Sequence, residues 1–319
     1  MKKVSPNRNW TTIDPIPGKP SGRCRAGALL IFFLTFFLVG DLAAQSLQRS
    51  EQRGARFEHL DEEGAETFLQ TFREHTLQSG TIFDFTLRVM PRRGAETRYR
   101  GRFWTSPLDS GRSGSLIELA HRDGTPLLRL LFENGPDAPA SIWRSDYAAD
   151  SDGPGTFGEP RKLTGEELFV PIASSDYTPF DLQMPFLFWP DTTYEGRYFL
   201  RGRSTYTFTT VPPVNGHAGL PVEQLRLHFD AEFAALMQVD WLDARGRENK
   251  SLALLEIKEV ADQWLPKTLD LRNQETRGKT RFIIEEAALD LLLPDLLFQP
   301  SALTGPLPEV DPDLFHRVN

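Results

Sequence analysis

Cysteine is almost missing: Cys24 is the one copy in 319 residues. A lone thiol excludes an internal disulfide and a thiolate metal cluster. A basic surplus is missing too, with 36 Lys and Arg against 44 Asp and Glu. Residues 1–44 hold six of those basic residues and two of the acidic ones, so the remainder carries 30 against 42, a net charge of −12. A surface of that sign does not bind nucleic acid, because phosphate contacts need Lys and Arg in excess. Histidine is sparse, and His59, His75, His121, His217, His228 and His316 never fall at H-x-x-x-H or H-E-x-x-H spacing. That leaves no zinc motif. The apolar run Ala28–Val39 spans 12 residues, short of the roughly 20 a membrane helix needs.

What is present is an ordinary globular composition, 39% hydrophobic and 25% charged, enough for a real core. Phe stands out with 23 copies, against 6 Trp and 6 Tyr. The N-terminus has a polar, basic stretch, then the apolar run, then Gly40-Asp41-Leu42-Ala43-Ala44. These are the three parts of a secretory signal peptide, with cleavage expected after Ala44; an uncleaved anchor is the alternative. Cys24 precedes the apolar run, so it is not the lipidated cysteine of a bacterial lipoprotein. The expected organisation is leader 1–44, linker 45–56, one domain over 57–300 and a tail over 301–319.

The mature part reads as one helix followed by strands. Phe68, Leu69, Phe72 and Leu77 share a face of a helix expected over Leu60–Gln78, and Gly80 ends it. The period then drops to two. Phe83, Phe85, Leu87 and Val89 alternate with polar residues, and further strands are expected near Thr97–Thr105, Ser115–His121, Leu127–Glu133 and Ala140–Arg144. Asp146–Glu159 reads as an exposed loop. Alternation resumes at Tyr206 and Phe208, at Leu225, Leu227 and Phe229, at Met237, Val239 and Trp241, at Leu255 and Ile257, at Leu269 and Leu271, and at Phe282 and Ile284. One-sided alternation over so many strands predicts a single curling antiparallel sheet with one dry and one wet face. Two segments can cover the dry face: the helix, and Ser174–Trp189, a lid-like stretch interrupted by Pro179 and Pro185. The Leu-rich stretch Leu289–Phe298 is expected against the sheet edge.

Catalytic motifs are weak. Gly111-Arg112-Ser113-Gly114-Ser115 lacks the second Gly of a nucleophile elbow. Gly153-Pro154-Gly155-Thr156-Phe157-Gly158 fits a dinucleotide fingerprint by letter, without the strand–turn–helix frame. The carboxylate runs Glu62-Glu63 and Glu285-Glu286 read as solvated faces. The aromatics say more. A curled sheet with a large apolar face and a separate apolar lid either packs solid or takes a hydrophobic guest, and an acyl chain gains about 0.8 kcal/mol per buried CH₂. The candidate cavity or lid residues are Phe83, Phe85, Leu87, Phe180, Phe186, Phe188, Trp189, Tyr206, Phe208, Phe229 and Trp241.

From Ser174 to Glu286 the chain resembles the outer-membrane lipoprotein-sorting protein family, the LolA-like periplasmic carriers. The resemblance rests on Ser174-Ser175-Asp176-Tyr177-Thr178-Pro179-Phe180-Asp181-Leu182, Tyr194-Glu195-Gly196-Arg197, Val239-Asp240-Trp241-Leu242-Asp243, Lys258 to Lys267, and Leu271 to Thr276 with Lys279-Thr280. It implies a mainly β (α+β) fold: an unclosed, strongly curved antiparallel β-barrel with a helical lid over an apolar cavity. It implies a monomeric carrier or chaperone for lipoprotein acyl chains or another lipid, with envelope membrane-protein partners, no catalytic residues and no cofactor. It also implies an Arg near the lid that holds the closed state, with Arg88, Arg100 and Arg102 as possible counterparts. The alternative is an envelope sensor or scaffold that uses the same fold to bind protein. A hydrolase would need a hydroxyl–His–carboxylate cluster, which no spacing suggests.

Overall fold

A computed structural model describes residues 12–13, 16, 60–74, 79–135, 141–150, 155–213 and 221–319. The expected apolar leader run, His59, His75 and His217 lie outside them. The chain folds as helix α1 (Glu62–Glu74) and a sheet of 15 strands. Its first half is a meander: β2 (Gly80–Met90), β3 (Thr97–Pro107), β4 (Ser113–His121), β5 (Pro126–Asn134) and β6 (Ser141–Ala148). The short strands β7 (Thr156–Phe157) and β8 (Arg161–Lys162) both pair with β6. The second half comprises β9 (Thr192–Leu200), β10 (Arg203–Thr210), β11 (Gln224–Asp230), β12 (Leu236–Leu242), β13 (Glu248–Val260), β14 (Gln263–Asn273) and β15 (Lys279–Leu291). The long strands run in the order β6-β5-β4-β3-β2-β15-β14-β13-β12-β11-β10-β9. So the two meanders meet at β2 and β15, an antiparallel pair with register from Lys279↔Met90 to Leu291↔Gly80. β6, with its short neighbours, and β9 are the two far rims of an unclosed sheet. Register shifts in the β4:β5, β9:β10, β11:β12, β12:β13, β13:β14 and β2:β15 pairs bend and twist it.

The alternating residues fall as the period-two pattern requires. Phe83, Phe85, Leu87, Phe103, Ile117, Leu130, Leu227, Phe229, Val239, Leu269 and Phe282 share one buried cluster on the inner face. Gly101 sits opposite Phe85, and a Cβ there would stand 2.1 Å from the Phe85 ring. The missing side chain lets that ring lie flat and stack on Phe282, with centroids 4.3 Å apart.

Five expectations change. Helix α1 begins at Glu62 and its assigned span ends at Glu74; residues 75–78 lie outside the described ones. Strand β6 runs on to Ala148, into the stretch read as loop. Leu255 does not face the core: β13 bulges around Glu256, so Leu252 and Leu254 are buried and Leu255 is 43% exposed. The outer face is not wet throughout. Over β2 to β5 and β15 it is apolar (Ile82, Trp104, Leu116, Leu131 and Ala288), and Leu291, Leu293, Leu297, Phe298 and Leu303 cover it. The Leu-rich stretch therefore packs across the back of the sheet rather than at its edge. Arg129 fastens this cover: its guanidinium donates to the carbonyl of Gly305 at 2.6 Å and stacks over Phe157. Gly114 makes room for Phe298, whose Cγ would lie 2.5 Å from an added Cβ. Farther along, β17 (His316–Arg317) pairs with β15 at Glu286–Ala287, and Val318 is buried in the inner cluster. Within the span assigned to the leader, β1 (Thr12–Ile13) pairs in parallel with β16 (Glu309–Val310).

Asp270 of β14 is buried, and Arg281 of β15 donates to it from Nε and Nη2 at 2.6 and 2.9 Å. Burial alone would raise the pKa of this carboxyl. Arg281 and Lys279 outweigh that and hold it below the usual carboxylate range. A depressed pKa gives stability that is present above the unfolded-state value and lost as pH falls through the folded one. Asp270→Asn is therefore expected to lower stability at pH 7 by about 1–3 kcal/mol, with the gap from the native chain closing below about pH 4; urea titrations across pH measure it. Gly114→Val is expected to cost about 1–3 kcal/mol through overpacking and to expose residues 292–305 to limited proteolysis.

Candidate functional site

The segment between the rims builds the site. After β8, the chain must cross from one rim of the sheet to β9 at the other. It does so over the inner face as a 3₁₀ turn (Gly165–Phe169), helix α2 (Pro179–Gln183) and a second 3₁₀ turn (Pro185–Phe188). Pro179 and Pro185 do not break a longer helix; each occupies the first turn of its own short one, where a missing N–H costs nothing. Thr178 and Asp181 cap α2 reciprocally. This lid packs Phe180, Phe186 and Trp189 downward, and Phe186 meets Trp241 of the sheet edge-on at 5.9 Å.

Polar contacts fasten the lid at several places, among them Ser174 Oγ to the Tyr99 hydroxyl of β3 at 2.9 Å. Asp176 accepts from Asn273 and Thr276 at the β14–β15 turn. Asp181 is buried and paired with Lys250 of β13, which also lies 5.1 Å over the Trp241 ring. Gln183 donates through Nε2 to the Glu133 and Ser141 carbonyls of β5 and β6, and its own carbonyl accepts from the Asn134 side chain. At the far end, Arg73 of α1 donates through Nε to the Leu187 carbonyl at 2.7 Å and through Nη2 to the Trp189 carbonyl at 2.8 Å. Burial pulls the Arg73 pKa below its ordinary value. Arg73 thus ties α1 to the lid. Arg88, Arg100 and Arg102 do not reach it: Arg88 pairs with Glu96, Arg102 pairs with Asp84, and Arg100 is exposed.

Helix α1 covers the other half of the inner face. Phe68 stands over Tyr206, Phe208 and Phe229 at 5.2, 6.0 and 5.8 Å, and Phe72 meets Phe229 at 4.6 Å. Between α1 and β9 a groove of about 690 Å³ opens at the rim, within the range of small-molecule sites. It is lined by the apolar Ala65, Leu69 and Phe208, by the acidic Asp61, Glu62 and Glu66, and by Arg73, Thr192, Thr193 and Tyr194.

The sequence-derived residues are brought onto one surface. Phe83, Phe85 and Leu87 lie at its centre on β2. Phe180, Phe186 and Trp189 form the lid underside beside Trp241. Tyr206, Phe208 and Phe229 lie under α1, and Phe188 is partly buried against the same cluster. They interlock with the chain's own rings, and of the set only Phe208 reaches the groove. Arg73 is the tie between α1 and the lid that the sequence reading missed. A cation in the last turn of an amphipathic helix was the available signal.

A second missed feature is a hydroxyl–His–carboxylate line. Thr207 Oγ1 is 2.9 Å from His228 Nδ1, and His228 Nε2 is 3.1 Å from Asp240 Oδ2. Thr207 has no exposed surface, so no substrate carbonyl can reach it; the line is a hydrogen-bonded ladder across three strands. Among the described residues no group of three or more His, Cys, Asp or Glu could hold a metal ion.

Solved structures place this arrangement. A DUF1329 family protein from Desulfovibrio piger superposes with a TM-score of 0.63 at 15% identity, over 75% of this chain and 98% of that one. A domain described as an outer membrane lipoprotein-sorting protein, from Vibrio parahaemolyticus, gives 0.62 at 14%, over 75% and 99%. A LolA superfamily protein from Nitrosomonas europaea gives 0.53 at 12%, over 75% and 99%. The fold is LolA-like. Residues 156–305 match a protein family described as "Uncharacterized protein". No curated protein matches in sequence.

Arg73→Met removes both donors; the Leu187 carbonyl loses its guanidinium partner while that of Trp189 keeps the Thr192 hydroxyl, at about 1–3 kcal/mol. Hydrogen exchange is expected to speed up over residues 179–189, while β2, β3 and β15 keep their protection.

Proposed function

We propose that this protein is an envelope carrier or chaperone that binds acyl chains, those of lipoproteins or of another lipid, on the inner face of its sheet. One observation carries the reading: the apolar face is covered by two separate pieces, α1 and the lid, cross-tied by Arg73 beside a groove of mixed polar and apolar lining. Burial of apolar surface is non-directional, so an acyl chain can take the place of the α1 side chains. The magnitudes are close. Ten buried methylenes contribute about 8 kcal/mol, and withdrawing Phe68, Leu69 and Phe72 costs about 5–9 kcal/mol. Near balance suits a carrier, which must release as well as load. The basic, apolar and small-residue N-terminus supports export to the periplasm. Binding, not catalysis, is the activity proposed.

Native mass spectrometry of the purified protein is expected to show lipid adducts, and a fluorescent fatty acid is expected to bind. Arg73→Met should raise uptake several-fold. Glu66→Trp combined with Thr193→Trp, both at exposed groove positions, should lower uptake by about tenfold or more without lowering Tm. Uptake unchanged in all variants overturns the reading. The sensor or scaffold alternative draws on one observation, the exposed aromatics of β9; a cross-linked protein partner recovered without lipid would favour it.

A further inference from the structure

The wall of the sheet has a split in it. β14 and β15 pair from Thr268↔Ile283 to Arg272↔Lys279. Beyond that ladder they part: β14 stays with β13 as far as Gln263, and β15 stays with β2 as far as Leu291. Two features mark the parting. β15 bulges at Glu285, and Pro266, in the parted stretch of β14, has no N–H to offer a neighbour. The chain's own tail fills the gap. His316 and Arg317 pair antiparallel with Ala287 and Glu286, and the Val318 N–H donates to the Glu285 carbonyl at 3.0 Å. Upstream, the tail lies on the outer face, where Leu293, Leu297, Phe298 and Leu303 join the outer cluster. Among the described residues past Leu291, Val318 alone is buried in the inner cluster, and it is fully covered. Its side chain therefore reaches through the wall. From the opposite lip, the Lys267 ammonium donates to the Val318 carbonyl. The hold on the two residues before Val318 is slight. Both are exposed, and Arg317 stands 3.7 Å from Glu286 with its side chain 78% exposed, a pair that contributes little.

A strand edge with main-chain donors and acceptors, an apolar hole at its end and a cation at the next carbonyl are the parts that recognise the end of an extended peptide. A lysine ammonium on a neutral carbonyl makes the weaker of the bonds open to it. A terminal carboxylate in that place accepts the same bond with a full charge. We infer that the split between β14 and β15 is a receiving site for the free carboxyl-terminal end of a partner protein, and that His316–Val318 is its resident occupant. The partner's last residue is Val, the side chain that the hole already fits. The residue before it is Arg or Lys, which stands beside Glu286 as Arg317 does. The exchange replaces like with like along the strand, and the pair between the carboxylate and Lys267 is the interaction gained. This site takes a peptide, needs no lipid and stands apart from the acyl-binding reading.

Fluorescence anisotropy on the full chain tests it with three labelled peptides: Phe-His-Arg-Val with a free carboxylate, the same peptide as its terminal amide, and Phe-His-Arg-Asp with a free carboxylate. The resident segment competes at a high effective concentration, so each peptide is measured on the native chain and on Val318→Gly, which loosens the resident. The free acid is expected to bind Val318→Gly about tenfold or more tighter than the native chain, and about tenfold tighter than the amide does. Adding Lys267→Met should erase the preference for the acid and leave amide binding unchanged. The peptide ending in Asp should not bind, because its side chain cannot enter the apolar hole. Val318→Ala, which shrinks the plug and disturbs the fold less, repeats the measurement. Equal binding of acid and amide overturns the inference, as does equal binding of the Val and Asp peptides. So does failure of both Val318 variants, folded by circular dichroism, to bind the acid.

Discussion

The pairing of β2 with β15 is the constraint on which everything else rests. It joins the first long strand of the domain to the last, across some two hundred residues, and its loop-closure entropy has to be offset by burial along the whole seam. The buried residues of that seam supply it: Phe83, Phe85 and Leu87 on one strand, Phe282, Ile284 and Ala287 on the other, with Phe85 and Phe282 in face contact. Once the ends are joined, the meanders can only grow outward. Their rims then become β6 and β9, and whatever links those rims has to pass over the inner face. The lid is a consequence of topology before it is a device.

The inner face is finished by pieces that are apolar where they touch the sheet and polar where they touch each other. α1 brings Phe68 and Phe72; the lid brings Phe180, Phe186 and Trp189. Between them stand a guanidinium and two carbonyls. Apolar contact fixes how strongly the pieces adhere, and a charged hydrogen bond fixes where they meet. This division sets the seam between the two pieces by hydrogen bonds rather than by matched shape. It also explains why the rings form a solid core while the fold still offers a groove at its rim.

Much of this was legible in the sequence. Phe83, Phe85, Leu87 and Val89 announced a half-dry strand, and Ser174–Trp189 announced a cover interrupted at Pro179 and Pro185. What escaped notice has physical reasons. Arg73 acts on backbone carbonyls 114 and 116 residues away, and carbonyls leave no mark in a sequence. β9 is a rim strand with little buried on either face, so it shows no alternation. The bulge around Glu256 turned the faces of β13 over, which no period-two pattern can report. The run from Leu291 to Leu297 has no period, so its place on the outer face depended on partners such as Trp104 and Leu116 that only the fold brings near. The line from Thr207 through His228 to Asp240 needs three strands in register.

The lid is moored at both ends, to β6 on one rim and directly into β9 on the other, with Asp176 and Asp181 tethered in between. A strap fixed on both banks cannot swing like a door. It slackens when the banks draw together and tightens when they part. Anything that wedges the bent sheet wider must stretch this span, and a narrower sheet loosens it. The curvature of the sheet and the freedom of the cover are thus one mechanical variable.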